Sequence, residues 1–173
     1  MSYRRESQSE EELVILIFDV DPLLEVPESE LEGFFLIYEN FIEYKTQSAD
    51  LDNIPCPSED TQKDFLSLVD IFGKDKPNEF PKPEAQKNGL HHIHVFDGSN
   101  DRELTKWVGK YQIQRVCDTL LFYSYFFFEN KHYFYVLQFV GHPDGHSFQQ
   151  DIKEMDYLIG RIKQYTESIK SLE

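Results

Sequence analysis

The stretch from Leu120 to Val140, LLFYSYFFFENKHYFYVLQFV, constrains the fold more than any other part of the chain. It reads as two long strands joined by the polar turn Glu129-Asn130-Lys131-His132. Strand side chains alternate with a period of two. Leu120, Phe122, Ser124, Phe126 and Phe128 therefore share one face, and Leu121, Tyr123, Tyr125 and Phe127 the other. In the second strand Tyr133, Tyr135, Leu137 and Phe139 stand opposite Phe134, Val136, Gln138 and Val140. Both faces are apolar, so this hairpin belongs at the centre of a sheet covered on most of both sides. One cover follows directly. After Gly145, Phe148, Ile152, Met155, Ile159, Ile162 and Ile169 recur at helical steps, interrupted only by Thr166, and Ser147 with Gln150 forms a capping-box pattern at the start.

The remaining elements are shorter. Residues 1–12 are polar and acidic and read as a flexible tail, leaving 13–173 as one domain. Leu13 to Val20, ending at the Asp21-Pro22 breaker, reads as a buried strand. Ser29 and Glu32 form a capping box ahead of Leu31, Phe35, Tyr38 and Ile42, which predicts a helix from Glu30 to Lys45. The spacing of Phe65, Leu68, Val69 and Phe72 suggests a second, short helix stopped by Gly73, followed by an exposed extended segment rich in proline. His91 to Phe96 alternates as a strand, with His92 and His94 on one face, and Asn100 with Glu103 caps a helix containing Trp107. The expected fold is α+β: an antiparallel sheet with an N-terminal strand and one or two helices, the aromatic hairpin at its centre, and a C-terminal amphipathic helix.

Charge and composition narrow the function. The formal net charge is -15, which opposes indiscriminate binding to a polyanion. The acidity is local: residues 1–60 hold 16 Asp/Glu against 3 Lys/Arg, while residues 61–173 hold 16 against 14. A basic cleft is thus possible only in the later part. No apolar run of membrane-spanning length exists and the first residues lack the apolar core of a signal peptide, so a cytoplasmic protein without membrane contact is expected. Cys56 and Cys117 are too few for a disulfide framework and have no metal-ligand spacing. His91 and His92 point to opposite faces of a strand, which argues against a zinc site with His94, His142 and His146. No HExxH, GxSxG or glycine-rich phosphate loop occurs.

Four linked segments carry a resemblance. They are Asp70-Ile71-Phe72-Gly73-Lys74-Asp75, Leu90-His91-His92-Ile93-His94-Val95, Arg115-Val116-Cys117-Asp118 leading to Leu121-Phe122-Tyr123, and Pro143-Asp144-Gly145-His146 before the last helix. In order and approximate spacing they resemble a YafO-type toxin of a type II toxin-antitoxin system, in the broad RelE/ParE-like class. The resemblance implies an mRNA-cleaving toxin acting on translating ribosomes, needing no metal or other cofactor, and held inactive by a cognate antitoxin protein.

Metal-free RNA cleavage needs a base for the 2′-hydroxyl, cationic stabilisation at phosphorus and an acid for the leaving oxygen. His92 and His94 are candidates for the proton transfers, with partly buried strand histidines as the structural alternative. Arg115 could grip the scissile phosphate with Asp118 fixing its orientation, or the two could form an ordinary ion pair. His146 precedes a helix and could meet phosphate there, or simply support the turn. Tyr123 could stack on a base, or belong to the core. A different class of function is also compatible with the charge pattern: a non-catalytic module of the same fold that binds a basic partner through its acidic first third.

Overall fold

The computed structural model describes residues 2–8, 13–64 and 66–172, with backbone alone for residues 5–8. Six strands form one sheet: β1 (Ser2–Gln8), β2 (Leu13–Val20), β3 (Phe72–Pro77), β4 (Leu90–Val95), β5 (Leu120–Phe128) and β6 (Lys131–Val140), in the order β1-β2-β6-β5-β4-β3. The helices are α1 (Leu31–Asp50), α2 (Glu59–Asp64), α3 (Glu84–Lys87), α4 (Asp101–Val108), α5 (Gly145–Gln150) and α6 (Ile152–Ser171). The class is α+β, but the sheet is mixed. β2 runs parallel to β6 while every other pair is antiparallel, because the long connection that starts through α1 returns the chain to the centre in the same direction.

The hairpin is central, as its two apolar faces require. Its turn is only two residues long: Glu129 and Asn130 both take positive φ (49° and 58°), the conformation that matches the right-handed twist of paired strands. Lys131 and His132, expected in the turn, already pair in β6 opposite Phe128 and Phe127. Further along, the register skips Leu137, with Phe122 opposite Gln138 and Tyr123 opposite Val136. This bulge reverses the alternation that follows. Phe139 consequently packs with Phe134 and Val136, and Val140 with Tyr135 and Leu137, the opposite of simple period-two counting.

Each face has its own core. Against α1 lie Leu16, Phe18, Ile93, Leu121, Tyr123, Phe134 and Val136; against α6 lie Leu90, Leu120, Phe122, Tyr135, Leu137 and Val140. α6 contributes Met155, Leu158, Ile159 and Ile162, each worth about 1.5–3 kcal/mol on burial. The expected single C-terminal helix is two, broken at Asp151. That residue's carboxylate accepts the backbone N–H groups of Lys153 and Glu154 and so restarts the chain as α6.

α1 is rotated from the stripe the sequence suggested. Phe34, Tyr38, Phe41, Ile42 and Tyr44 face the core, whereas Leu31 and Phe35 remain exposed. The expected Ser29/Glu32 capping box does not form. A 3-10 turn occupies Glu28–Glu30, and no side chain caps the helix. Of the expected tail, residues 2–8 form β1, which closes the outer edge of β2 by backbone pairing. An edge strand with so little apolar content has no signal in composition; residues 9–12 lie outside the described residues. α2 ends before the predicted second helix, and Phe72 opens β3 instead; Phe65 lies outside the described residues. Part of the segment read as extended and exposed is thus the edge strand of the sheet. The cap at Asn100 forms as expected, its side chain accepting from the Glu103 N–H.

Candidate functional site

The alternation of β4 divides its histidines. His91 stacks on Tyr123, 5.1 Å between ring centres, on the α1 side; His92 and His94 lie on the α6 side, 5.7 Å from each other. The short helix α5 lies over the second pair. Gly145 makes this possible, since a Cβ there would collide with the Asp118 carbonyl, to which the Gly145 N–H is bonded at 2.9 Å. The close approach sets the next side chain, His146, 5.8 Å from the His94 ring and directly onto the Asp118 carboxylate through Nδ1. Three segments thus place His92, His94 and His146 in a row.

The three are not equivalent. His92 is 3% and His94 4% exposed, whereas His146 is half-exposed. Burial pushes the His92 imidazole down to about 3, helped by its cationic neighbours, and His94 down to about 4. Both are neutral near pH 7. The His92 Nδ1 lies 2.9 Å from the Asn78 side-chain oxygen, which can only accept, so Nδ1 carries the proton and Nε2 has the lone pair. Gln149 donates to the same Asn78 oxygen at 2.9 Å and closes the support. For His94, Nδ1 is 3.0 Å from the Cys117 N–H and 2.9 Å from its carbonyl. The two bonds demand opposite tautomers. An orphaned buried N–H is the rarer outcome, so Nδ1 accepts and Nε2–H is left as a donor. Lys74 and Lys76 on β3 act on His94 through their charge, and Lys76, which also pairs with Glu79 at 3.3 Å, acts on His92 as well.

Arg115 does not join them. Its guanidinium is buried and donates to three backbone carbonyls, those of Val108 at 2.8 Å, Lys110 at 3.1 Å and Phe72 at 3.3 Å. It ties the loop after α4 to the start of β3. Gly73 allows this, because a Cβ at that position would collide with Arg115. Asp118, expected to orient Arg115, instead holds His146. Tyr123 lies on the other face, fully buried, donating to Asp75 at 2.5 Å and accepting from Lys45 at 2.7 Å.

Around Tyr123 is a second polar group that periodicity did not reveal. The Lys45 ammonium meets Asp75 at 2.6 Å with both side chains inaccessible, and also donates to the Pro55 carbonyl at 2.8 Å. Tyr44 and Gln62 complete the shell of Asp75, at 3.1 Å to the carboxylate and 3.1 Å to its backbone N–H. Burial and the adjacent Asp75 raise both tyrosines well above their ordinary range. One signal was present in sequence: Lys45 falls seven residues after Tyr38 and four after Phe41, on the apolar side of α1. The two thiols are pushed up to about 12 by burial, which leaves them unreactive. Among the described residues, no three His, Cys, Asp or Glu side chains converge in a geometry that could hold a metal ion.

The order of these segments along the chain has a counterpart among known families. The profile of Toxin YafO, type II toxin-antitoxin system, matches residues 43–167. The chain belongs to the YafO toxin family. Every candidate site residue lies within the YafO match, as do Lys45 and Asp75; β1, β2 and the first half of α1 lie before it. Membership implies a cognate antitoxin as a partner. No curated protein and no solved structure gives a match. Among the described residues, no helix is long and apolar enough to cross a membrane.

Proposed function

We propose that this YafO-family toxin cleaves mRNA, in the manner of the RelE/ParE-like class, on the translating ribosome. In this reading His146 is the proton-transfer group, Asp118 holds its Nδ1–H and stabilises the imidazolium, and Nε2 faces the RNA. His94 donates through Nε2–H to the phosphate, and His92 supports that ring from behind. Lys74 and Lys76 supply the positive charge that a phosphorane requires. His146 Nε2 takes the 2′-hydroxyl proton as the 2′-oxygen attacks phosphorus, and the resulting imidazolium returns that proton to the departing 5′-oxygen, leaving a 2′,3′-cyclic phosphate. Arg115 and Tyr123 take no part, because their polar atoms are committed to carbonyls and to the Lys45–Asp75 pair.

The observation that carries this reading is the His146–Asp118 pair, a half-exposed imidazole oriented by a carboxylate beside a neutral buried histidine. An orienting acid fixes the tautomer and leaves the distal nitrogen free to take up or give a proton. Induced expression in a bacterial host should arrest growth and fragment translated transcripts. Unchanged growth with intact transcripts and folded, soluble protein would contradict it.

A further inference from the structure

The rotation of α1 leaves an apolar groove that the catalytic reading does not use. It is lined by Val20, Leu24, Val26, Leu31, Phe34, Phe35 and Tyr38, with a volume of about 450 Å³. Phe35 is 49% exposed, and Leu23 and Leu36 beside it 56% and 60%. Large aromatic and aliphatic groups left in water close together mark a docking surface more often than a bare solvent face. The phenol oxygen of Tyr38, one of the lining side chains and only 6% exposed, has no hydrogen-bond partner among the described residues. Such a group is normally satisfied in the functional state.

The rim indicates what fits. Glu25 lines the groove and Glu28, Glu30, Glu32 and Glu39 follow along the same stretch; the sequence contains no Lys or Arg from Glu6 to Tyr44. The Asp21 carboxylate at one end is already taken by Arg161, at 2.7 and 2.9 Å. The surface lies before residues 43–167, the stretch that the family profile matches. An anionic rim around an apolar trough selects a cationic amphipathic segment: its large side chains fill the trough while its Lys and Arg meet the glutamates.

We propose that this groove is the docking site for a cationic amphipathic segment of the cognate antitoxin, with Phe35 as the central contact. The inference rests on family membership and does not depend on RNA cleavage. The test uses the full chain and a fluorescent synthetic helix with Leu at helical spacing and Lys on both flanks. A peptide of the same composition in scrambled order is the control. Binding to the ordered peptide should weaken about tenfold or more in Phe35→Ser and again in the double variant Glu25→Lys/Glu32→Lys, and should fall with added salt. Amide shifts on binding should map to residues 20–39. Glu25, Glu32 and Phe35 are exposed, so both variants should keep the wild-type unfolding midpoint. Equal binding of the scrambled peptide, unchanged affinity in Phe35→Ser, shifts confined to α5 and β4, or no binding would each overturn the proposal. Loss of nuclease activity would leave it standing.

Discussion

The two faces of β4 and β5 each carry a polar group, and the two groups serve opposite ends. On the α1 side, Lys45, Asp75, Tyr44 and Tyr123 form a closed group in which the ammonium has three acceptors and both carboxylate oxygens have donors. On the α6 side, His92 and His94 are fixed from one ring nitrogen each, and the row ends at the half-exposed His146. The first arrangement is saturated and has nothing left to offer a substrate. The second keeps one unused nitrogen on each ring. A polar cluster inside a sheet protein is therefore informative through what it leaves unpaired, more than through which residues it contains.

If that contrast is right, the closed cluster should fail as structure. Lys45→Met removes the one cation that touches Asp75 among the described residues and strands a buried carboxylate, which should destabilise the fold by about 3–5 kcal/mol in urea denaturation. A change below 1 kcal/mol would mean the group is open to water. The neutral histidines should appear next, in acid. Their folded values of about 3 and about 4 lie below the unfolded value of about 6.5, so the native state binds fewer protons in that interval. Their stabilising contribution is complete above pH 6.5 and lost as pH falls through about 4 and about 3, by on the order of a few kcal/mol. The slope of unfolding free energy against pH should shrink in His92→Gln, which cannot take up that proton. A smaller effect separates Arg115 from the site. Arg115→Met should lower stability by about 2–3 kcal/mol through the lost carbonyl bonds, while RNA cleavage per folded molecule stays within about twofold. A hundredfold fall in cleavage with normal folding would return the guanidinium to the chemistry.

Much of this frame was legible in the sequence. Two strands apolar on both faces required a central hairpin and two covers, and the histidine alternation on β4 followed from the pleat. What escaped depended on long-range contacts. The bulge at Leu137, β1 at the edge of β2 and the rotation of α1 are set by tertiary packing and backbone pairing, which leave little trace in local periodicity. In the site, His94 and His146 were separate candidates, and nothing in local periodicity sets one beside the other. The exchange of Asp118 from Arg115 to His146 rests on Gly145 letting two backbones touch, and a bare glycine before a helix reads equally well as an ordinary turn residue.

The most direct test of the central claim is single-turnover cleavage of an RNA substrate on ribosomes by wild-type protein and by His146→Asn, matched for folded concentration at pH 7.5. Removal of the open imidazole should slow cleavage about 10²–10⁴-fold with the urea midpoint unchanged, because that side chain is half in solvent. Cleavage at the wild-type rate by the variant would contradict the assignment of His146 and Asp118 as the reacting pair.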